Sequence, residues 1–215
     1  MSAALQGDSQ EIVVMTRLYD AAVRQLVLKF EILNDEFKVL YARNPIHHIE
    51  GRVKSLPSIA AKLLKKEQPL TIEAAKRNVN DIAGVRVVCG YIDDVYRVAD
   101  MMTRQADIQL IRRQDYIQTP NYNGYRSLHL DIRLPVYLSD RTEQVIAEIQ
   151  IRTIAMDFWA TLEHQLRYKA IPTIPASISD ELVQTATDIS LLDQRMQRIH
   201  DQVELLERDE REKLE

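Results

Sequence analysis

Apolar residues in the first forty positions recur at steps of three and four. Met15, Tyr19, Ala22, Leu26, Phe30, Leu33, Phe37 and Leu40 trace one stripe with charges opposite. This spacing predicts an amphipathic helix from about Glu11 to Tyr41, stopped by Asn44-Pro45. The period then changes. Alternation from Ile46 to Ser55 predicts a short strand with His48, Glu50, Arg52 and Lys54 on one face. Pro57-Ser58 opens a helix through about Lys66, carrying Lys62, Lys65 and Lys66, and Thr71 caps a short helix to about Arg77. Asp81 precedes a strand that runs to Cys89 and is apolar on both faces except at Arg86. An arginine in such a strand needs a carboxylate or a ligand as partner. Asp93 is the expected cap of a helix through about Gln105. Residues 108–113 read as an edge strand, and residues 115–123 as a loop leading to Gly124.

The period of two is clearest further on. Leu128, Leu130, Ile132 and Leu134 point one way, while Ser127, His129, Asp131 and Arg133 point the other. A second strand, residues 143–152, turns Val145, Ala147, Ile149 and Ile151 inward and Ile146, Glu148, Gln150 and Arg152 outward. The helix predicted over 155–169 carries Phe158, Trp159, Leu162 and Leu166 on its expected core side. Pro172 and Pro175 then break the chain. In the last helix Ile178, Leu182, Thr185, Ile189, Leu192, Met196, Ile199, Val203 and Leu206 alternate steps of four and three. Such a heptad pattern favours packing against another helix, either the first helix or one from a second subunit.

Composition narrows the class. At 215 residues and 46% apolar content, the chain can bury one substantial core. The net charge of -4 excludes wholesale coating of a polyanion and leaves room for a local basic pocket. Charge is uneven: residues 176–215 carry a net -6, and the body before them a net +2. The single cysteine, Cys89, sits in an apolar run and reads as a core residue, which fits a reducing compartment. The first residues lack a basic-then-apolar leader, and no run approaches the ~20 apolar residues of a membrane span. The expectation is a soluble cytoplasmic protein with no membrane partner.

Two carboxylates stand out as chemistry. Asp81 lies at the mouth of one strand and Glu148 on the polar face of another. If the strands are neighbours, both point into one cleft and suit a magnesium ion or a proton-accepting role. The competing reading pairs each with a nearby arginine, Arg86 or Arg152. Arg52 and Arg86 have planar cations able to stack on a base or grip phosphate. Tyr125 is a second stacking group beside a glycine, and His129 a partner for phosphate or hydroxyl. His200-Asp201 lies on the heptad helix without a surrounding ligand set and reads as structural.

Four stretches, in this order and spacing over roughly residues 45–170, resemble the synthetase domain of the RelA/SpoT family, and most closely its stand-alone small alarmone synthetases. They are residues 48–55 (HIEGRVKS), 81–87 (DIAGVRV), 123–129 (NGYRSLH) and 148–153 (EIQIRT) continuing to 158–164 (FWATLEH). The resemblance implies an α+β, nucleotidyltransferase-like mixed sheet flanked by helices, with long N- and C-terminal helices. It divides the chain into a helical region 1–44, a synthetase core 45–170 and a helical oligomerisation region 171–215. The reaction implied is that of a GTP pyrophosphokinase in the stringent response: the β,γ-pyrophosphate of ATP moves to the 3′-hydroxyl of GDP or GTP, releasing AMP and (p)ppGpp. Carried onto this sequence, Asp81 and Glu148 hold Mg2+, with Glu148 also the candidate base. Arg52 and Arg86 sandwich adenine, and Lys54 and Lys62 hold ATP phosphates. Tyr125 stacks on guanine, with His129 and Gln150 placing the acceptor. A homotetramer, and (p)ppGpp or single-stranded RNA as effector, are further implications. The departure from the family pattern is Asn121, which follows Pro120 where a lysine is usual and puts the choice between GDP and GTP in question. Two other readings fit the same residues: a related pyrophosphotransferase acting on tRNA or adenine nucleotides, and a non-catalytic RNA-binding module.

Overall fold

The two clearest alternating stretches pair with each other near the middle of a sheet. The computed structural model describes Leu5 and residues 7–41, 43–169 and 175–212. Helix α1 spans Ser9–Tyr41, β1 Ile46–Val53, α2 Leu56–Lys65, α3 Ile72–Asn78, β2 Ala83–Cys89 and α4 Ile92–Thr103. Strands β3 (Gln109–Asp115), β4 (Leu128–Tyr137) and β5 (Thr142–Thr153) follow, then α5 (Ile154–Lys169) and α6 (Ala176–Glu212). The described strands form one five-stranded sheet in the order β1-β2-β5-β4-β3. Strands β2 and β5 run parallel, and the other neighbouring pairs are antiparallel. This is the mixed sheet flanked by helices, with long terminal helices, that the family resemblance implies. Pro172 and the boundary at 170/171 lie outside the described residues.

Register separates the two faces. One row across the sheet reads Gly51, Val85, Ile149, Leu130, and the next Ile49, Val87, Ile151, Leu128. Apart from Gly51, these belong to the main core or pack against it, covered by α1 and α4. The α1 stripe is buried as expected, with Leu26 and Phe30 fully enclosed. Each such side chain contributes ~1.5–3 kcal/mol by leaving water. Gly51 lets α1 come close: a Cβ there would lie 2.5 Å from Val23 Cγ1 and 2.9 Å from Val27 Cγ2. Leu40, at the end of the same stripe, is exposed.

Two expectations are corrected. Asp93 does not cap α4; Tyr91 occupies that position without a side-chain cap, and the buried Asp94 takes both Arg43 nitrogens at 2.7 and 2.9 Å. In α5 the buried side is Met156, Trp159, Ala160 and Glu163, whereas Phe158, Leu162 and Leu166 are exposed. The expected side lies one helical step away because α5 leaves β5 without a loop, so its phase is set by the strand. The α6 helix packs on α5 through an apolar cluster of Ala186, Leu182 and Ile189 against Trp159 and Ala160, and reaches the end of β5 and the start of α4 through polar contacts. Among these, Asp193 accepts Thr153 Oγ1 at 2.6 Å, Gln197 bonds Asp93, and His200 stacks on Tyr91 at 3.9 Å. Most of the heptad stripe, from Leu192 through Met196, Ile199 and Val203 to Leu206, faces away from the chain.

Candidate active site

The opposite face of the sheet is polar in register. One row runs Arg52, Gly84, Glu148, Asp131, Arg112 from β1 to β3, and the next Glu50, Arg86, Gln150, His129, Gln114. Every member is delivered by the period of two, and the side-chain-free Gly84 leaves room between Arg52 and Glu148. A cleft over this floor is lined by Glu50, Arg52, Asp81, Gly84, Val85, Arg86, Glu148 and Gln150. A larger cavity, about 570 Å³, lies at the start of α1 against α3 and the β4–β5 turn. It contains none of the residues singled out from the sequence, so volume does not mark the chemistry here.

Asp81 sits in the turn before β2, between two ammonium groups. Lys54 Nζ donates to Oδ2 at 2.9 Å, and Lys62 Nζ of α2 lies 2.9 Å from Oδ1, off the hydrogen-bonding direction. Burial pushes the Asp81 carboxyl up, but Lys62 and Lys54 together outweigh it and hold it below the usual carboxylate range. Glu148 behaves alike. Burial raises its carboxyl, Asp81 adds a smaller push upward, and His129 with the Gln150 amide brings the net shift below the ordinary value. His129 Nδ1 is 3.7 Å from Glu148 Oε2, an attraction that operates when the imidazole is protonated, and Gln150 Nε2 donates to Oε1. Both carboxylates are therefore ionised at neutral pH. Neither pairs with Arg86 or Arg152, the competing reading left open by the sequence. Arg86 instead reaches Glu50 at 3.2 Å and Asp157 at 3.6 Å.

The acceptor-side residues form one network. Tyr125 Oη and His129 Nε2 are 2.8 Å apart, and Tyr116 meets both rings edge-on. The Arg152 guanidinium lies 5.0 Å from the Tyr125 ring centre and donates to its hydroxyl and, at 2.8 Å, to Gln150 Oε1. The turn holding Tyr125 depends on α5 and α6. Asn123 Oδ1 accepts the Tyr125 N–H at 3.2 Å, and Asn123 Nδ2 donates to the buried Glu163 at 3.1 Å. Gly124 has φ +87°, and a Cβ there would stand 2.6 Å from Ala186 Cβ of α6. Trp159 completes the support, donating its indole N–H to Leu182 O at 3.1 Å.

All nine residues singled out from the sequence (Arg52, Lys54, Lys62, Asp81, Arg86, Tyr125, His129, Glu148 and Gln150) thus meet on one side of the sheet. Lys66 does not join them; its ammonium is 2.6 Å from Asn78 O. Sequence reasoning assigned no role to Asp157, Glu163 or Asp131, which accepts Asn80 Nδ2 and Arg112 Nε at 3.0 Å each. The alternation did place Asp131 on the polar face. Nothing in the pattern marked the two helical acids.

Residues 51–172 match the family model described as the region found in RelA / SpoT proteins. The chain belongs to the RelA/SpoT family. Among its relatives, GTP pyrophosphokinase YwaC of Bacillus subtilis (strain 168) is 45% identical over 187 residues, covering 87% of this chain and 89% of that protein. The crystal structure of small alarmone synthetase 2 from Bacillus subtilis superposes with a TM-score of 0.79 at 44% identity, covering 87% of this chain and 96% of that one. Small alarmone synthetase 1 from the same organism, bound to its product pppGpp, gives 0.81 at 35% identity, covering 86% and 94%. The match spans these relatives almost end to end, so the family extends beyond the sheet to the flanking helices.

Among the described residues no group of three or more His, Cys, Asp or Glu side chains gathers as a metal site. Asp81 and Glu148, two ionised carboxylates lining one cleft, are the hard oxygen donors that fit magnesium when phosphates and water complete its shell.

Proposed function

We propose that this chain is a (p)ppGpp synthetase, transferring the β,γ-pyrophosphate of ATP to the 3′-hydroxyl of GDP or GTP. The observation that carries this reading is the single polar face on which two ionised carboxylates stand between separate groups of cations and an aromatic turn. Two nucleotides must be held in line for such a transfer, and positioning with charge neutralisation supplies most of the rate.

In this reading Arg52 and Arg86 flank the adenine, and Lys54 and Lys62 turn from Asp81 to the ATP phosphates. Tyr125 offers its ring to guanine, with His129 and Gln150 orienting the acceptor. Asp81 and Glu148 would hold Mg2+, which supplies charge neutralisation on the phosphates. Glu148, ionised and beside His129, takes the proton from the 3′-hydroxyl. The O3′–Pβ bond forms as the bond from Pβ to the α-phosphate oxygen breaks, and AMP leaves. The synthetase core is residues 45–170, and the helical regions 1–44 and 171–215 serve assembly. The exposed apolar stripes of α5 and α6 support a homotetramer. The work is that of a cytoplasmic enzyme in the stringent response, with (p)ppGpp or single-stranded RNA as candidate effector.

The test is direct. Purified protein with Mg2+, ATP and GDP is expected to yield AMP and ppGpp. Glu148→Gln should lower kcat by roughly 10²–10⁴-fold with the circular dichroism spectrum unchanged. Cleavage of ATP to ADP, or no nucleotide product at all, defeats the proposal.

A further inference from the structure

Asp157 stands in the first turn of α5, where Thr153 Oγ1 accepts the Met156 N–H at 3.1 Å and ties that turn to the end of β5. One carboxylate oxygen of Asp157 serves two guanidiniums. Arg152 Nη1 approaches Oδ1 at 3.2 Å, and Arg86 Nη1 approaches the same atom at 3.6 Å. The two arginines belong to different halves of the cleft. Arg86 is on β2 beside Arg52 and is held on its other side by Glu50 at 3.2 Å. Its Nε is buried without a hydrogen-bond partner in the chain. Arg152 is 5% exposed and is the support under Tyr125: it donates to the Tyr125 hydroxyl, to Gln150 and to Asp157, and lies against the ring. A path of direct contacts therefore runs Glu50–Arg86–Asp157–Arg152–Tyr125 from one nucleotide half to the other.

The geometry points to Asp157 as a positioning residue that couples the two nucleotide sites, an inference that rests on the synthetase reading. Both guanidiniums draw on the same Asp157 oxygen, Arg152 within hydrogen-bonding distance and Arg86 at 3.6 Å, so each lies in the field of the other at that atom. When a donor base draws Arg86 toward itself, Asp157 is left to Arg152 alone. The Arg152–Asp157 pair tightens, and Tyr125 with Gln150 is fixed in place for the acceptor. Binding of the donor then strengthens binding of the acceptor, and by linkage the reverse holds by the same factor. Asp157 touches neither nucleotide in this scheme; it acts through the two arginines. An asparagine in its place keeps the shape and one acceptor oxygen but removes the charge that both arginines share.

The experiment is calorimetric. GDP is titrated into the full chain with Mg2+, with and without saturating α,β-methylene ATP, whose carbon bridge prevents AMP from leaving. Wild-type protein is expected to bind GDP on the order of tenfold more tightly with the analogue present. Asp157→Asn should bring that ratio to within twofold of one, and Asp157→Glu should restore part of it. A carboxylate that merely stabilises the fold would change the melting temperature and leave the ratio alone. A wild-type ratio near one overturns the inference without need of any variant, and so does an undiminished ratio in a folded Asp157→Asn. Failure of wild-type protein to bind either nucleotide is a different result: it removes the synthetase reading, and the coupling with it.

Discussion

Gly124→Ala tests whether α6 builds the acceptor half of the site. Two separate costs follow from the structure. The backbone at position 124 has φ +87°, a conformation that costs a side-chain-bearing residue about 1–2 kcal/mol. The new Cβ would also stand 2.6 Å from Ala186 Cβ, well inside van der Waals contact, and relieving such overpacking costs about 1–3 kcal/mol. The total expected loss is about 2–5 kcal/mol. Only the second part depends on α6. Ala186→Gly removes the opposing methyl, at about 1 kcal/mol for a glycine inside a helix. The double variant should therefore be more stable than the sum of the single losses by about 1–3 kcal/mol. Urea unfolding followed by circular dichroism, at one fixed protein concentration, measures the coupling. The GDP KM supplies the functional readout: it should rise in Gly124→Ala, because the turn presents Tyr125, and recover partly in the double variant. Strictly additive losses, within about 0.5 kcal/mol, would refute the claim that α6 presses on this turn.

Stability should also depend on pH through Asp81 and Glu148, both held below their ordinary values of 3.8 and 4.5. A depressed carboxylate contributes stability that is complete above its unfolded value and lost as pH falls through the folded one. Urea midpoints are thus expected to be flat with respect to these groups at neutral pH and to drop on acidification below the ordinary values. Lys54→Met with Lys62→Met should flatten that drop, and an unchanged acid limb would count against the ion-pair account. The outward apolar stripe of α6 predicts assembly: Leu192→Glu with Met196→Glu should lower the sedimentation coefficient while leaving the circular dichroism spectrum intact, and an unaltered coefficient would remove that surface as an interface.

Much of this protein is legible in its sequence because side-chain direction along a strand follows from the period alone. The alternation from Leu128 to Leu134 and from Val145 to Arg152 separated an apolar face from a polar one, and the polar face is where the candidate chemistry lies. The α1 stripe was readable for the same reason. Pairing was not readable. That Arg86 meets Glu50 and Asp157, and that Asp81 meets two lysines, depends on the strand order β1-β2-β5 and on where α2 and α5 dock beside it. Periodicity within one segment carries no information about its neighbours. The buried face of α5 was not readable because its phase is set by β5, which it leaves without a loop. An apolar stripe states that a helix will be covered, but not by what: in α6, Leu182 and Ile189 pack toward Trp159 of α5, while the stripe from Leu192 to Leu206 faces outward and Asp193, Gln197 and His200 make the contacts to the end of β5 and the start of α4. Local sequence thus determined the elements, the two faces of the sheet and the residues available for chemistry. The tertiary structure decided which charges neutralise one another, because that depends on distances between segments far apart in the chain.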